Sequence, residues 1–242
     1  MRLLVSVMDA VEAVEAVQGG AHLIDVKNPR EGALGAALPH VIRMVREAVP
    51  AGLMVSAALG DMPFLPGTAA LAAVGAGLSG ADLVKVGLYG VRTPRQATTL
   101  LHAVAYALRA CDCPTALIAC AYADAAEHGC LPPDQLPEVA ARAGCAGAMI
   151  DTRSKDGRSL FDHMTPARVT AFLEQCRQRQ LLGALAGALT GEALQLAAAL
   201  RPDVVGVRSA ACTGGDRAAG RVTGAAVSEV VRLLHTEPSE VH

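Results

Sequence analysis

The chain has 242 residues, of which 52% are hydrophobic, 18% are charged and only 2% are aromatic. Its formal net charge of −2 and the lack of a basic stripe exclude a nucleic-acid-binding surface as its main feature. The apolar fraction is sufficient for one sizeable core, which alanine, leucine and valine must fill because tryptophan is absent.

No segment of the sequence predicts export or a membrane anchor. Residues 1–7 form an apolar run that is too short for a signal peptide. The apolar stretch 181–200 is interrupted by glycines, which favours a strand, a turn and a helix. Seven cysteines without an export signal predict reduced, buried thiols in a cytoplasmic protein. Cys111 and Cys113 have no second pair at zinc-ligand spacing, so we expect neither a metal nor a cofactor.

The first helix is predicted from its cap and its apolar spacing. It follows a strand over residues 3–7. Asp9 is a preferred N-cap residue, and the apolar positions Val11, Val14 and Val17 recur every three residues. Glycines 19 and 20 then end the pattern.

Short apolar runs continue to alternate with helix-period stretches, which is typical of strand–helix units and a parallel sheet. The further strands are predicted at residues 23–27, 53–58, 83–87, 116–121, 147–151, 182–186 and 204–208. The helices that follow them are predicted at residues 39–49, 68–78, 93–109, 133–143, 165–179, 191–200 and 218–234.

Eight strand–helix pairs, repeated about every 30 residues without a linker, predict a single TIM-type (β/α)8 barrel of α/β class. The barrel should occupy residues 1–235 and leave 236–242 as a frayed tail. An open doubly wound sheet is the alternative, which is weakened because no Gly-x-Gly-x-x-Gly follows the first strand. We expect a homo-oligomer because small barrels often associate.

Lysine is rare in this chain and is placed selectively. Lys27, Lys85 and Lys155 are its only lysines, beside 18 arginines. Lysine can lose its proton when it is desolvated and then act as a nucleophile, whereas arginine stays charged. This distribution indicates that the amines are used chemically.

Five charged residues are expected to converge at the mouth of the barrel. Lys27, Lys85 and Asp151 end the second, fourth and sixth strands, and alternate strands of a barrel contribute side chains to a common inward layer. Asp25 lies two residues before Lys27 and therefore on the same face of its strand. Lys155 comes from the loop directly above the sixth strand.

Crowded ammonium groups and apolar walls both disfavour charge, so at least one of these lysines should have a depressed pKa. A neutral amine can attack a carbonyl and form a Schiff base, while the neighbouring carboxylates transfer protons. The structural alternative is that Asp25–Lys27 and Lys85–Asp151 are ion pairs that fill the barrel mouth.

The turn after the eighth strand is a candidate phosphate site. Gly214 and Gly215 follow Arg208 and Ser209, and the turn is predicted to open the last helix. Backbone N–H groups in such a turn can bind an anion, and phosphate often sits after strands seven and eight of this fold. Gly187, after the seventh strand, could complete the site; a plain turn is the alternative. Arg208 either binds phosphate or pairs only with a carboxylate.

Several other loop residues are weaker candidates. The loop above Lys27, with Asn28, Pro29, Gly32 and Gly35, is either functional or a structural turn. Three residues around Lys155 could bind a second anion: Arg153, Ser154 and Arg158. His128 and His163 lie on loops and could transfer protons.

Four motifs of the chain resemble those of one enzyme family. They are IDVKNPREGALG at residues 24–35, VKVG at 84–87, DTRSKDG at 151–157, and GVR followed by GGDR within 206–217. From its first strand to its last helix the chain resembles the (5-formylfuran-3-yl)methyl phosphate synthases of methanofuran biosynthesis. Ala33 departs from the motif, where serine is expected, so a hydroxyl contact from this loop is in doubt.

The resemblance implies a barrel lyase that joins two molecules of glyceraldehyde 3-phosphate into a phosphorylated furan aldehyde, with loss of one phosphate and two waters. It also implies that Lys27 is the Schiff-base lysine and that Lys85 transfers protons, supported by Asp25, Asp151 and Lys155. A class I aldolase or sugar-phosphate isomerase would use the same residues. A non-catalytic barrel that binds phosphorylated metabolites is a further alternative.

Overall fold

The computed structural model describes residues 1–235, in which eight parallel strands close into a barrel in chain order. The strands are β1 (Arg2–Val7), β2 (Leu23–Val26), β3 (Met54–Asp61), β4 (Leu83–Gly87), β5 (Ala116–Tyr122), β6 (Gly147–Asp151), β7 (Leu182–Leu185) and β8 (Val204–Val207). The main helices are Ala10–Gln18, Pro39–Ala48, Pro66–Leu78, Pro94–Ala110, Leu136–Arg142, Pro166–Gln178, Gly191–Ala199 and Gly224–His235. The predicted (β/α)8 barrel is confirmed, and the tail predicted at 236–242 lies outside the described residues.

Short helical turns interrupt three loops at the C-terminal ends of the strands. Two are single α-helical turns, Ala125–His128 and Leu160–His163. The others are 3-10 turns at Pro133–Gln135, Ser209–Ala211 and Thr213–Gly215. None of them was predicted as a separate element, because a four-residue turn carries no periodic signal.

The third strand is longer than predicted, and the difference brings a carboxylate to the barrel mouth. β4 and β6 match the prediction residue for residue, but β3 continues beyond Ala58 to Asp61. Its register against β4 shifts between Ala58 and Asp61. Gly60 accommodates this irregularity with φ +108°, a conformation that favours glycine.

The glycine-rich turn after β8 does not open the last helix, contrary to the prediction. The helix begins at Gly224, nine residues after Gly215. The side chain of Asp216 accepts hydrogen bonds from the backbone N–H groups of Ala218 and Ala219 at 2.8 and 2.9 Å, and so folds this segment into a turn. Thr223 Oγ1 then accepts from the N–H of Ala226 at 3.3 Å at the true start of the helix.

The first helix buries a different face from the one that its valines mark. Asp9 caps it as predicted, but Val11 and Val14 are exposed while Glu12 is fully buried. The reason is an ion pair: Arg208 Nη1 donates to Glu12 Oε2 at 2.9 Å, and both side chains are almost fully buried. Small alanines beside Glu12 let the helix approach the barrel closely enough for this contact.

Two hydrophobic layers hold the barrel together. The larger lies between the strands and the surrounding helices, where Phe172 is the bulkiest member. The smaller fills the barrel interior below the mouth with side chains from alternate strand positions: Leu4, Leu23, Leu83, Ile118, Met149, Ala184 and Val204. The floor of the barrel is therefore apolar, and the charged residues lie above it.

Six of the seven cysteines are buried, in agreement with the prediction, whereas Cys111 is exposed after the helix Pro94–Ala110. Within residues 1–235 no helix is long and apolar enough to cross a membrane.

The Glu12–Arg208 pair should contribute strongly to stability. Replacing Glu12 by Gln leaves the buried Arg208 charge uncompensated, so we expect the free energy of unfolding to fall by about 3–5 kcal/mol. The exposed pair Arg142–Glu138 is the matched control, for which Glu138→Ala should cost less than about 1 kcal/mol. Urea unfolding measures both, and equal losses for the two variants would contradict this account.

Candidate active site

Asp25 is the buried centre of the charged layer. Lys85 Nζ donates to Asp25 Oδ2 at 2.7 Å, and the hydroxyls of Ser6 and Ser56 donate to the same carboxylate at 2.9 and 2.6 Å. The barrel register brings this about, because Asp25 on β2 lies opposite Ser6 on β1 and Ser56 on β3. Asp25 and Lys85 are 0% and 2% exposed, so neither charge is screened by water.

A second pair lies at the end of β6. Lys155 Nζ donates to Asp151 Oδ1 at 2.8 Å and to Thr152 Oγ1 at 3.1 Å. The backbone N–H of Thr152 donates to the same carboxylate oxygen at 2.7 Å. Asp151 is therefore held by its own strand end and by the loop that follows.

The pairing differs from the ion pairs that the sequence suggested. Asp25 binds Lys85 instead of Lys27, and Asp151 binds Lys155 instead of Lys85. Consequently, no carboxylate of residues 1–235 lies within 4 Å of Lys27 Nζ, whose one hydrogen bond is to the carbonyl oxygen of Ala33 at 3.5 Å. Lys27 is nevertheless buried, with an exposed fraction of only 7%.

The pKa values of Lys27 and Lys85 are shifted in opposite directions for this reason. Burial, together with the positive charges of Lys85 and Lys155, lowers the pKa of Lys27 to about 7 despite the opposing influence of Asp151 and Asp25. Burial also acts to lower the pKa of Lys85, but its contact with Asp25 outweighs this and raises the pKa above its ordinary value. At neutral pH the site therefore contains a partly neutral amine beside a charged one.

The two carboxylates remain ionised. Burial acts to raise the pKa of Asp151, but the charges of Lys155 and Lys27 and the hydrogen bonds to it bring the value down to about 2. The pKa of Asp25 is likewise lowered, because Lys85 and Lys27 outweigh its burial.

A cavity of about 280 Å³ opens above this layer, close to the lower end of the range that is usual for small-molecule sites. Four of the five predicted catalytic residues line it, and Asp25 lies beneath it in contact with Lys85. The lining residues include Ser6, Lys27, Lys85, Asp151, Lys155, Gly187, Ala188, Arg208, Ser209, Gly215 and Arg217.

The predicted phosphate-binding residues divide into two groups. Gly187, Ser209 and Gly215 line the cavity as the sequence suggested. Gly214 is outside the lining and has φ +63°, so its role is to shape the turn. Because the last helix starts further along the chain, the glycines do not form its N-terminus.

Arg208 borders the cavity, but its guanidinium is occupied by the protein itself. Besides Glu12, it donates to the carbonyl oxygen of Ser6 at 2.8 Å and, through Nε, to the carbonyl oxygen of Arg217. Arg208 therefore ties the first helix, β1 and the turn after β8 together. The sequence could not distinguish this use from a phosphate ligand.

Asp61 organises the loop above Lys27 and was missed in the sequence. Its carboxylate accepts the backbone N–H groups of Ala33 and Leu34 at 2.8 and 3.3 Å, and the Tyr122 hydroxyl at 2.6 Å. A Cβ atom at Gly32, which has φ +145°, would lie 2.1 Å from Asp61 Oδ2, so glycine is required there. The Ala33 carbonyl that contacts Lys27 is thus fixed from β3.

Asp124 plays the corresponding part for the loop that carries Lys155. Its carboxylate accepts the backbone N–H groups of Arg153 and Ser154, each at 2.7 Å, and lies 3.2 Å from His128 Nε2. The pKa of Asp124 is lowered, because these bonds outweigh its burial.

The weaker candidates do not line the cavity. Arg153 stacks on the ring of Tyr89 at 4.5 Å, and Arg158 pairs with Glu127 and Asp156. His163 lies 3.4 Å from Glu127. The candidates absent from the cavity lining are His128, His163, Arg153, Ser154, Arg158, Asn28, Pro29, Gly32 and Gly35.

A closed parallel barrel, with buried lysines and carboxylates around a cavity at the C-terminal ends of its strands, defines a (β/α)8-barrel enzyme. The sequence model of the 4-HFC-P synthase family matches residues 3–231. The chain belongs to this family.

Curated relatives agree with this assignment. A (5-formylfuran-3-yl)methyl phosphate synthase of Methanococcus maripaludis is 48% identical over 233 residues, which cover 96% of this chain and 99% of the relative. The synthase of the same name from Methanocaldococcus jannaschii is 46% identical over 233 residues with the same coverage.

Solved structures show likeness of fold alone. 3-Hexulose-6-phosphate synthase from Salmonella typhimurium superposes with a TM-score of 0.64 at 20% identity, over 97% of this chain and 100% of the other. Phosphoribosyl anthranilate isomerase from Thermus thermophilus gives 0.59 at 16% identity, over 97% and 98%.

Removal of the Asp61 carboxylate should loosen the loop over Lys27. In Asp61→Ala two backbone N–H groups and the Tyr122 hydroxyl lose their acceptor, so amide exchange in residues 28–35 should accelerate by about tenfold or more. Hydrogen exchange with mass spectrometry measures this. Asp82→Ala is the matched control, because Asp82 accepts the Val55 N–H and pairs with Arg46 elsewhere in the barrel. If both variants left exchange in 28–35 unchanged, Asp61 would not hold the loop.

Proposed function

We propose that this protein condenses two molecules of glyceraldehyde 3-phosphate into (5-formylfuran-3-yl)methyl phosphate through a Schiff base on Lys27. The reaction releases one inorganic phosphate and two waters, which balances the atoms of the two trioses. Family membership supports the product, and the relatives of that name support a role in methanofuran biosynthesis. The observation that carries the mechanism is that Lys27 is the one lysine with no carboxylate partner in the described chain and has a pKa of about 7.

In the proposed reaction, neutral Lys27 attacks the aldehyde carbon of one triose phosphate and forms a carbinolamine. The ammonium of Lys85, held by Asp25, protonates the departing hydroxyl, and loss of water gives the imine. Removal of the proton next to the imine, with β-elimination of phosphate from the same triose, gives an enol imine. Its terminal carbon then attacks C2 of the second triose, after that triose has isomerised to its ketone form. Lys155 and Asp151, on the other side of the cavity, are placed to move protons in the elimination of phosphate and the final dehydration.

The charged pairs also suit the formation of the carbon–carbon bond. The nucleophile in this step carries electron density that an adjacent ammonium group stabilises, and both Lys85 and Lys155 lie at the cavity in contact with a carboxylate. Ring closure to an aromatic furan makes the sequence of steps effectively irreversible. The polar groups of β7 and β8 that line the cavity, including Ser209 and the Gly187 backbone, are proposed to bind one phosphoryl group.

Product analysis tests the proposed function directly. With glyceraldehyde 3-phosphate we expect one inorganic phosphate released for every two trioses consumed, together with a new ultraviolet absorption from the furan aldehyde. An aldolase or isomerase would convert the substrate without releasing phosphate, and a binding protein would leave it unchanged.

Lys27→Arg keeps the charge but removes the nucleophile, so turnover should fall by about a thousandfold or more. Near-normal turnover in this variant would exclude the Schiff base on Lys27.

The rate should follow the ionisation of Lys27. Only the neutral amine is nucleophilic, so kcat/KM should rise with pH and reach half of its plateau near pH 7. Below this value it should fall tenfold per pH unit, since the protonated fraction of Lys27 is inactive. The raised pKa of Lys85 keeps its ammonium charged, which should extend the plateau well into the alkaline range. Initial rates from pH 5 to 10 measure this, and a profile that is flat across pH 6–8 would contradict it.

A further inference from the structure

Arg217 is the one side chain of the turn after β8 that reaches across the barrel mouth. It is half-buried, it lines the cavity, and its Nη2 donates to the carbonyl oxygen of Gly32 at 3.3 Å. Gly32 belongs to the loop after β2, so the guanidinium lies on the β2–β3 side of the mouth while its backbone lies next to β8.

Arg217 has no direct ion pair within the described residues. In residues 1–235 no carboxylate oxygen lies within 4 Å of its guanidinium, whereas the other arginine of the lining, Arg208, is paired with Glu12. Lys85 and Lys155 are paired as well. Burial and the charge of Arg208 lower the pKa of Arg217 against the opposing influence of the more distant Asp151 and Asp61, and the arginine remains protonated at any physiological pH.

Arg217 and Lys27 converge on the same short segment of backbone. Arg217 donates to the carbonyl oxygen of Gly32, and Lys27 Nζ donates to the carbonyl oxygen of the next residue, Ala33. The backbone of Arg217 is itself fixed, because its carbonyl oxygen accepts a hydrogen bond from Arg208. The two basic residues of the cavity lining that lack a carboxylate partner within residues 1–235 thus bind consecutive carbonyl groups of one loop, which Asp61 orders.

We propose that Arg217 binds a second phosphoryl group beside Lys27, separate from the one bound on the β7–β8 side. A guanidinium presents its N–H groups in a planar fork that matches two phosphoryl oxygens, and a weak bond to one carbonyl is readily exchanged for them. This inference rests on the proposed function, which requires two triose phosphates in one cavity. Arg217 then places the phosphoryl group of the triose that is attached to Lys27.

Calorimetric titration with sn-glycerol 3-phosphate tests the inference without any chemistry, because this probe has no carbonyl group. The wild-type protein should bind two molecules per chain. In Arg217→Met one site should persist and the other should weaken by about tenfold or more, and Arg217→Lys should recover part of the loss. Arg92→Met is the matched control, because it removes an exposed positive charge from a loop at the same end of the barrel and should retain both sites.

Hydrogen exchange and steady-state rates separate binding from a structural role. If Arg217 only tied the loops together, Arg217→Met would accelerate exchange in residues 28–35 but still bind two probe molecules, and this would overturn the inference. A single site in the wild-type protein would also overturn it. If two sites are found and one depends on Arg217, the inference stands whether or not the furan product forms. Absence of that product would contradict only the proposed function. For an active enzyme, Arg217→Met should raise KM more than it lowers kcat.

Discussion

The structure of the active site depends on how two carboxylates are shared among three lysines. Asp25 is bound by the buried Lys85 at 2.7 Å, and Asp151 is bound by the half-buried Lys155 at 2.8 Å. A buried carboxylate is costly unless it is fully bonded, and here the serines of neighbouring strands and the N–H of Thr152 complete the bonding. The third lysine, Lys27, therefore has no acidic partner. Its low pKa results mainly from its burial, which no contacting carboxylate offsets.

A second layer of buried charges holds the loops in which the reactive groups lie. Asp61 at the end of β3 fixes the loop over Lys27, and Asp124 after β5 fixes the loop that carries Lys155. Glu12 and Arg208 do the same for the turn after β8. These carboxylates lie in the first helix or at or after odd-numbered strands, whereas the proposed reactive residues lie in or after even-numbered strands. The mouth thus combines the proposed reactive side chains with neighbours that orient their loops, an arrangement that limits motion where the proposed imine would form.

The sequence was sufficient to predict the barrel and the composition of its charged layer, but not the pairing within it. The positions of Lys27, Lys85 and Asp151 on alternate strands predicted that their side chains share one inward-facing layer. Side chains alternate between the two faces of a strand, and alternate strands of a barrel contribute to the same layer. Which lysine binds which carboxylate depends on the conformations of the side chains inside the barrel, and the spacing of residues in the sequence does not determine these conformations. Asp61 was hidden by a strand irregularity at Gly60, and Glu12 by the expectation that a helix buries its valines. The start of the last helix was placed too early, because the Asp216 turn resembles a helix opening in sequence.

The most direct test of this account is the ionisation of the three lysines, measured by NMR of protein labelled at the lysine side chains. Because Lys27, Lys85 and Lys155 are the only lysines, three signals are expected, and Lys27→Arg identifies one of them by its loss. The account predicts that the Lys27 signal titrates near pH 7 in the absence of substrate, while that of Lys85 stays charged beyond pH 10. If the Lys27 signal titrated at or above pH 10, Lys27 would be an ordinary ammonium group and the proposed nucleophile would be contradicted.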